Sequence, residues 1–433
     1  MSTTTRHWPP TPGTPPEGAR LTVDVVDVDL ATNAPFAGGP PHAAFDALRR
    51  SGGIAWHAEP PTAGLLGDNP MIRFVDSPGF WVVTSHALVA EVDRDQERFS
   101  SEAGSTFLPS LAEDSLAMFR QMMLNMDHPG HSRLRRILQP IFTPRSIQRL
   151  RASVHDNVTE ILDGVEGRFD LVETVAAELP VRVLADLFGM PREDRHLIYQ
   201  WSNALLGADN PSQARHAEES MLALAGMMEY GLAMAAERRA DPRDDIVSRI
   251  VTAEVEGERL SDTEFQMFWL LLVVAGNETT RNAVSVSVVA LHEHGLWTWL
   301  AEHPEQLVPA VEELLRYVSP VQQFRRTATS DTVLGDQEVR AGDKVVIWFG
   351  AANRDPDVFA EPHRLDLRRD PNPHVAFGVG PHFCLGAHLA RLEAAETLRG
   401  LLEVAPDLEV GEPVRMASNF IAGIARLPVR IAP

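Results

Sequence analysis

One segment of this chain constrains the fold more than any other, a helix predicted to run from Asp262 to about His294. Residues 261–264, S-D-T-E, form a capping box, in which a serine and a glutamate three positions later satisfy free N–H groups at a helix start. At 1.5 Å per residue the helix would span roughly 50 Å, which is long for a globular protein. Between Phe268 and Ala275 it is apolar on every face, so we expect it to be buried all round.

The remaining pattern predicts a mainly α-helical fold with a minor β region. The first 40 residues hold clusters of proline and are expected to form an irregular arm, followed by a single domain over residues 41–433, since no internal repeat or linker is evident. Caps, turns and periodicity predict four further elements. These are a helix opened by Thr143-Pro144 and ending near Val165, strands at Phe80–Thr84 and Lys344–Trp348, and a helix from Leu385 to about Leu402.

Charge and cysteine content argue against several functions. The chain has 433 residues, with 39 Lys and Arg against 60 Asp and Glu, and its formal net charge of −21 argues against a nucleic-acid partner. The one cysteine, Cys384, rules out an internal disulfide framework and a zinc site built from several thiolates. The N-terminus lacks the apolar core of a signal peptide, and no run approaches the roughly 20 apolar residues that span a bilayer. We therefore expect a cytoplasmic protein without a membrane anchor.

The residues around Cys384 carry the most chemical information. F-G-V-G-P-H-F-C-L-G occupies residues 377–386, and its three glycines let the backbone bend tightly and approach a flat ligand closely. Cys384 lies just before a predicted helix, where free N–H groups and the helix dipole favour a thiolate. A thiolate under N–H donors is what an iron centre of tuned potential requires. A buried, inert cysteine is the alternative for the same residues.

This segment, followed by A-H-L-A-R up to Arg391, resembles the haem-binding signature of the cytochrome P-450 superfamily. The resemblance extends from Phe45 to the C-terminus. It implies the fold of that family, a mainly α triangular prism with a long distal helix over the haem, and heme b (iron protoporphyrin IX) as the cofactor. It implies that Cys384 ligates the haem iron and that Phe377, Gly378 and Gly386 are further cofactor-binding residues.

Glu313-Leu314-Leu315-Arg316 resembles the E-x-x-R pair of the same family. A carboxylate and a guanidinium three positions apart on a helix share one face and can form a bidentate bridge. Taken alone, such a pair is usually solvated on the surface. The resemblance implies a buried pair joined by a further arginine, and Arg364 is expected to be that arginine. We expect all three to hold the cysteine loop without taking part in the chemistry.

The two haem propionates need cationic or hydrogen-bonding partners in an apolar cavity. The resemblance implies His131, Arg135, Arg326 and His382 in this role. His131 and Arg135 are four positions apart and therefore face the same way on a helix. A solvated helix face is the alternative reading of that pair. His382 lies two residues before the cysteine.

Ala275-Gly276-Asn277-Glu278-Thr279-Thr280 breaks two local rules inside the long helix. A mid-helix glycine costs about 1 kcal/mol relative to alanine, and a carboxylate in a buried helix is expensive without a partner. One explanation is that the helix emerges to solvent after Gly276. The stretch also resembles the acid–alcohol pair at the oxygen-binding kink of the family. That resemblance implies that Glu278 and Thr279 deliver protons, through ordered water, for the activation of dioxygen.

Electrons for this reaction are expected from a separate protein. Only 49 residues follow Cys384, which we interpret as too few for a flavin or iron–sulfur domain. By resemblance to soluble bacterial members, the donors would be a ferredoxin and its reductase. Arg133, Arg136 and Arg391 are candidates for a positively charged docking patch near the cysteine.

The substrate is expected to be small and apolar, of a lipid, terpenoid or steroid-like class. Residues 275–282, Arg325-Arg326-Thr327 and residues 418–424 are similar to an actinobacterial group that oxidises sterol side chains and methyl-branched lipids at terminal carbons. An apolar roof over the substrate is predicted before the His131 helix, where ordinary core packing is the alternative. Its members are Phe107, Leu108, Met118, Phe119, Met122 and Met123. Gln322 and Gln323 would hydrogen-bond a polar substrate group or face solvent.

Two other functions share part of this evidence. A tailoring oxidase that acts on a polyketide, peptide or macrolide would have every haem motif and differ only in the lining of the pocket. A haem-binding sensor that never turns over would need no proton delivery, so the Glu278-Thr279 pair argues against it.

Overall fold

The computed structural model describes residues 28–61, 72–206, 217–254 and 257–431. The helices are α1 (His42–Arg50), α2 (His86–Arg94), α3 (Glu113–Phe119), α4 (Gly130–Leu138), α5 (Pro144–Gln148), α6 (Arg151–Leu162), α7 (Glu178–Phe188), α8 (Arg195–Leu206), α9 (Ala217–Ala240), α10 (Ile246–Thr252), α11 (Asp262–Glu293), α12 (Trp297–Glu302), α13 (Leu307–Val318), α14 (Phe349–Ala352) and α15 (Ala387–Val404). The strands are β1 (Ile54–Ala58), β2 (Gly79–Val83), β3 (Phe99–Ser100), β4 (Arg168–Asp170), β5 (Gln323–Ala328), β6 (Thr332–Leu334), β7 (Gln337–Val339), β8 (Lys344–Trp348), β9 (Glu409–Val410), β10 (Val414–Arg415), β11 (Ile424–Arg426) and β12 (Pro428–Arg430). The predicted mainly α fold with a minor β region is confirmed.

The long helix predicted from the capping box is present as α11, 32 residues or about 48 Å in length. Ser261 accepts the N–H of Glu264, and the Glu264 carboxylate accepts the N–H of Ser261, so both halves of the box form. The prediction that residues 268–275 are buried all round was wrong, because Ala275 is exposed. Helices α7, α8, α9, α13 and α15 pack against α11, but its Ala275 side is left open.

Gly276 has a packing explanation that the sequence did not reveal. A Cβ atom at this position would lie 3.1 Å from Cδ2 of Leu184 on α7, tighter than ordinary van der Waals contact. The helix is continuous through Gly276. The glycine therefore allows α7 to approach α11 closely.

The main sheet is formed by strands from the N-terminal third of the chain and by the strands that follow α13. It has five strands in the order β1-β2-β8-β5-β3, of which only the β2–β8 pair is parallel. The strand predicted at Lys344–Trp348 is confirmed as β8, and the one predicted at Phe80–Thr84 is β2, shifted by one residue. Both strands are buried throughout, as expected for strands covered on two faces. Smaller sheets are β4-β12-β9, β10-β11 and β6-β7.

Two other predictions about local structure need correction. Thr143 caps a helix by accepting the N–H of Ser146, as expected, but the helix stops at Gln148 and a second one runs from Arg151 to Leu162. The described end of the predicted arm is not entirely irregular, because a 3₁₀ turn forms there and Phe36 is buried. The Phe36 ring stacks on Trp348 with centroids 5.7 Å apart. The arm before residue 28 lies outside the described residues.

Among the residues that the structure describes, we find no helix long and apolar enough to cross a membrane.

Candidate active site

The segment Phe377–Gly386, called the cysteine loop below, is folded back on itself by backbone hydrogen bonds. The N–H of Cys384 donates to the carbonyl of Phe377 at 2.9 Å, and the N–H of Phe383 donates to the carbonyl of Gly380 at 3.1 Å. Gly378 and Gly380 have φ angles of +67° and +71°, which L side chains rarely adopt. Cys384 is thereby placed half-buried just ahead of α15, whose N-cap is Gly386.

Asp93, at the end of α2, supports the cysteine loop from behind, and sequence reasoning missed it. Its side chain is 1% exposed, and Oδ2 accepts the N–H of Val379 at 2.8 Å. A Cβ atom on Gly378 would come within 2.9 Å of the same oxygen, so only glycine allows this approach. Oδ1 accepts from Nη2 of Arg326 at 2.6 Å. Asp93 is four positions after the buried Val89, and a carboxylate on the apolar face of a helix was the available signal.

The electrostatics of Cys384 differ from the sequence expectation. Burial raises the pKa of the thiol, whereas the N–H of Gly386 and the positive charges of Arg135 and Arg391 act in the opposite direction. The N–H at the helix start therefore favours the thiolate, as predicted, but burial has the larger effect on the pKa of the uncoordinated sulfur. A thiol of this kind is a poor free nucleophile, and a metal cation would be needed to hold it deprotonated.

His131 of α4 contacts His382 of the cysteine loop. Their ring centroids are 4.2 Å apart. Burial, followed by the charges of Arg135 and Arg326, lowers the pKa of His131 to about 4. Burial, followed by the charge of Arg326, also holds the pKa of His382 well below its ordinary value. Both rings are therefore neutral near pH 7 and offer hydrogen bonds without a positive charge.

Arg135 and Arg326 supply the positive charge at this place. Arg326 is 1% exposed, and among the described residues its side chain donates to Asp93 and, at 2.9 Å, to the carbonyl of Arg325. The Arg135 side chain makes no hydrogen bond or ion pair within the described ranges, although its charge acts on Cys384. Burial lowers the pKa of Arg135. Within the described residues, the guanidinium that has no partner acts on the Cys384 sulfur, and the one shared with Asp93 acts on His131 and His382.

The structural triad forms with Arg369, so the prediction of Arg364 was wrong. Glu313 and Arg316 are fully buried and joined by two hydrogen bonds of 2.7 Å, as predicted. Nε of Arg369 lies 3.1 Å and 3.2 Å from the two Glu313 oxygens. The Arg364 side chain instead pairs with Glu361 at the surface. Only the backbone carbonyl of Arg364 joins the network, by accepting from Arg316 at 3.2 Å.

Glu278 and Thr279, predicted as an acid–alcohol pair, lie on different sides of α11. The Thr279 hydroxyl donates to the carbonyl of Ala275 at 2.7 Å on the accessible side. Glu278 is 5% exposed, and its Oε1 accepts from Arg281 and, at 2.8 Å, from Nδ2 of Asn282. The carboxylate is therefore partnered as a buried charge requires, and helix emergence to solvent does not explain it.

Comparison with known proteins now decides the family. The sequence model of the family Cytochrome P-450 matches residues 306–404, which include the triad and the cysteine loop. The steroid C26-monooxygenase of Rhodococcus jostii is 36% identical over 421 residues, covering 96% of this chain and 85% of that protein. The chain belongs to the cytochrome P-450 superfamily. It is an enzyme of the monooxygenase class, and haem iron is the cofactor that this family implies.

Two other similar proteins indicate which group of the superfamily this chain resembles. The methyl-branched lipid omega-hydroxylase of Mycobacterium tuberculosis is 40% identical over 395 residues, covering 89% of this chain and 90% of that protein. A cytochrome P-450 of Mycobacterium marinum, solved in complex with pseudoionone, has a TM-score of 0.84 and 38% identity, covering 94% of this chain and 99% of that one. These similarities support the predicted actinobacterial sterol and lipid hydroxylase group.

The residues of this cytochrome P-450 fit a haem. Cys384 supplies one soft sulfur donor in a loop bent by glycines. Nδ1 of His131 is buried and has no hydrogen-bond partner within the described chain, so it is available to hydrogen-bond a bound group. Arg135 and Arg326 bring positive charge to the same place, which suits the carboxylates of a porphyrin.

A row of aromatic rings connects the predicted roof to the C-terminal residues of this cytochrome P-450. Phe107 contacts Phe119 and Phe420 with centroid distances of 5.6 Å each, and Phe420 contacts Phe324 at 5.8 Å. We call these four residues the aromatic row. Phe324 belongs to β5, which anchors the row on the main sheet, and it also contacts Phe349 of α14 at 6.0 Å.

The other four residues of the predicted roof divide into two groups. Leu108 and Met123 belong to the hydrophobic core, so ordinary packing explains them. Met118 is 39% exposed, and Met122 is half-buried. Gln322 and Gln323, outside the roof, are each 1% exposed, which excludes the alternative that they face solvent. Nε2 of Gln322 donates to the carbonyl of Ser319.

The docking patch predicted for the electron donor is reduced by internal ion pairs. Arg133 pairs with Glu264 of the α11 capping box. Arg391 binds both oxygens of Glu312, at 2.6 Å and 2.9 Å. These two arginines are therefore paired with carboxylates of the same chain, which reduces the positive charge that they offer, and the docking patch stays a prediction. Arg136 is exposed on α4.

Proposed function

We propose that this cytochrome P-450 hydroxylates an extended apolar molecule of the lipid, steroid or terpenoid class at a terminal methyl group. The aromatic row is the observation that carries this proposal. Its rings suit an apolar ligand that must be positioned without charged contacts. The two curated relatives are named for oxidising a steroid at C26 and methyl-branched lipids at the omega position, which supports a terminal site of attack.

Heme b is the proposed form of the cofactor. Cys384 would ligate its iron, while Phe377, Gly378 and Gly386 would shape the surface against which the ring lies. His131, Arg135, Arg326 and His382 would bind the propionates, the two histidines by N–H donation and the two arginines by charge. Bound haem supplies the one-electron activation of dioxygen, which protein side chains cannot perform.

Proton supply is the proposed role of Thr279 and Glu278. The Thr279 hydroxyl uses its hydrogen on Ala275, so its oxygen remains able to accept a hydrogen bond from water on the accessible side. Glu278 is held by Arg281 and Asn282. To pass a proton, its carboxylate must exchange one of these donors for water.

The proposed overall reaction is balanced by two electrons and two protons. One oxygen atom of dioxygen enters a C–H bond as a hydroxyl group, and the other leaves as water. A ferredoxin and its reductase are the proposed source of the electrons, with the exposed Arg136 as a contact for an acidic donor. The cytoplasmic location stays a prediction from the sequence.

The test uses the protein produced with ample haem. We expect a reduced carbon-monoxide adduct with a thiolate-type Soret band, lost in the Cys384→Ser variant. A panel of steroids, methyl-branched fatty acids and terpenes, pseudoionone included, is then screened for a shift of the Soret band. Compounds that shift it are incubated with a surrogate ferredoxin, its reductase and NADPH, and the products are identified by mass spectrometry.

The outcomes separate the parts of the proposal. A colourless protein, or an adduct without the thiolate band, contradicts the haem site. A normal adduct with no ligand or product from the panel contradicts the substrate class only. Products from a polyketide or macrolide and from none of the panel would favour the tailoring oxidase. Clean reduction without any oxygenated product, tested by single turnover, would favour a sensor.

A further inference from the structure

The buried amide of Asn282 lies between the proposed proton donor and the C-terminal segment that carries Phe420. Asn282 is fully buried on α11, one turn after Glu278. Its Nδ2 donates to Oε1 of Glu278 at 2.8 Å and to the backbone carbonyl of Glu278 at 3.0 Å. Its Oδ1 accepts the N–H of Ile424 at 3.2 Å. One amide group therefore serves two partners that are 146 residues apart in the chain (424 − 278 = 146).

The segment Met416–Ile424, called the C-terminal loop below, presses directly on this amide. A Cβ atom on Gly423 would lie 2.5 Å from Oδ1 of Asn282 and 2.8 Å from Sδ of Met416. Glycine is therefore required by the contact, even though its backbone angles are open to other residues. The N–H of Met416 donates to the carbonyl of Gly423 at 2.9 Å, which closes the base of the loop.

The tip of the same loop forms part of the aromatic row. Phe420 contacts Phe107 and Phe324, and its carbonyl accepts the N–H of Gln322 at 2.8 Å. The N–H groups of Phe420 and Ile421 both donate to the Ser418 hydroxyl, so the tip is held as one unit. Only two residues separate Phe420 from Gly423. A ligand that moves the Phe420 ring therefore acts on the segment that contacts Asn282.

We propose that Asn282 is a positioning residue that couples substrate contact at the C-terminal loop to the orientation of the Glu278 carboxylate. This inference rests on the proposed function, in which Glu278 supplies protons. Arg281 also binds Glu278, but its contact with the loop is limited to Sδ of Met416 at 4.0 Å. Asn282 is the partner of Glu278 that also hydrogen-bonds the backbone of the loop. Without it, substrate binds as before, while protons arrive at the wrong moment and reducing equivalents are lost.

The first experiment compares Asn282→Ala and Gly423→Ala with the control Ser285→Ala. Ser285 is equally buried on α11, and its hydroxyl donates to the carbonyl of Arg281, so this control removes a buried polar side chain whose described hydrogen bond goes neither to the Glu278 carboxylate nor to the loop. The holoproteins are given 15-methylhexadecanoic acid, or pseudoionone if the acid does not shift the Soret band. We expect the NADPH consumed per product to rise about fivefold in Asn282→Ala, as for one lost buried hydrogen bond. Turnover supported by hydrogen peroxide, which brings its own protons, should stay within about twofold of the control.

The second experiment does not depend on turnover. Hydrogen–deuterium exchange is measured with and without the same probe for peptides that cover the C-terminal loop and residues 278–284. In the unaltered protein and in Ser285→Ala, the probe should slow exchange in both segments. In Asn282→Ala it should slow exchange in the loop alone.

The outcomes distinguish this inference from the proposed function. Joint protection in Asn282→Ala, or an NADPH ratio equal to that of Ser285→Ala, overturns the coupling. If the unaltered protein gives no product, the proposed function fails, and the exchange experiment still decides whether Asn282 links the two segments. Gly423→Ala should resemble Asn282→Ala, and it serves as the second variant if the latter does not bind haem.

Discussion

The two sides of the candidate site are held together by different forces. On the cysteine side, buried charges meet in compensated sets, Glu313 with Arg316 and Arg369, and Asp93 with Arg326. On the α11 side, one buried ion pair joins Glu278 and Arg281, and the other contacts described above are the aromatic row and single hydrogen bonds such as that of Thr279. Buried charge networks tolerate little displacement, whereas aromatic rings can shift with small changes in energy.

This difference matches the demands on the two sides. The cysteine side has to present one sulfur atom in one geometry, and the charge networks fix the loop that does so. The α11 side has to receive a substrate and deliver protons, which requires adjustment. The predictions below test this division by removing one contact at a time, beginning with the largest expected effect.

Removal of the Arg369 side chain should lower the free energy of unfolding. In Arg369→Ala, the buried Glu313 keeps only Arg316 as a charged partner, and loss of one member of a buried ion network costs about 3–5 kcal/mol. Arg364→Ala, which removes an exposed surface pair, should change the free energy of unfolding by less than about 1 kcal/mol. Urea unfolding of the holoproteins, followed at the Soret band, measures both. Equal effects of the two variants would restore Arg364 as the triad member.

One acid on α15 should oppose folding at neutral pH. Glu393 is buried, its Oε2 has no hydrogen-bond partner among the described residues, and burial raises its pKa to about 8. Because the folded pKa lies above the ordinary value of 4.5, stability is fully present below pH 4.5 and is lost as the pH rises towards 8. Glu393→Gln should therefore be more stable than the unaltered protein by roughly 3 kcal/mol at pH 7 and equal to it near pH 4.

The control for this pH effect is Glu403→Gln on the same helix. Glu403 is exposed, so its substitution should leave the pH dependence of unfolding unchanged. Thermal unfolding of the holoproteins across pH 4–8 makes the comparison. A difference between Glu393→Gln and the unaltered protein that does not grow with pH would show that Glu393 is ionised in the fold.

Substitution of Asp93 should lower the free energy of unfolding more than substitution of its neighbour Asp95. Asp93→Asn leaves the buried Arg326 without a carboxylate but keeps an oxygen for the N–H of Val379, and we expect a loss of about 2 kcal/mol in unfolding free energy. Asp95→Asn disturbs a partly exposed pair with Arg98 and should cost under about 1 kcal/mol. The midpoint potential of the haem iron should also rise in Asp93→Asn alone, because a negative charge is removed nearby. An unchanged potential would limit Asp93 to a structural role.

The smallest effect is expected in substrate binding at the aromatic row. Phe420→Ala removes one ring of the row that is proposed to contact the substrate, and it should weaken binding of the hydroxylation substrate about tenfold, since one aromatic contact contributes roughly 0.5–1.5 kcal/mol. Phe169→Ala on β4, outside the row, should leave binding unchanged. Spectral titration measures the dissociation constants. If Phe420→Ala binds the probe as tightly as Phe169→Ala, the aromatic row does not line the substrate site.

The sequence predicted those features that depend on near neighbours. The capping box of α11, strand β8 and the Glu313–Arg316 pair involve residues within a few positions of one another, and all are confirmed. The break between α5 and α6 escaped prediction because no glycine or proline lies at Arg149 and Leu150.

The features that the sequence did not predict depend on distant contacts. Asp93 meets Val379 across 286 positions, and no local pattern connects them. Arg364 and Arg369 lie in the same irregular segment, where neither helix nor strand periodicity assigns a direction to a side chain. Met123 was expected in the roof because its neighbours are also apolar, and its place in the core follows from how α4 packs against the preceding turn.

The ion pair between Arg133 and Glu264 has a consequence for how this enzyme can diverge. Helix α4 carries His131 and Arg135, and it also carries Arg133, which forms an ion pair with Glu264 in the first turn of α11. The nine residues of α4 therefore fix the distance between the proposed propionate-binding side chains and the start of α11. Insertions elsewhere on the surface can change which substrates are admitted without altering the spacing between α4 and α11, provided that the ion pair is retained.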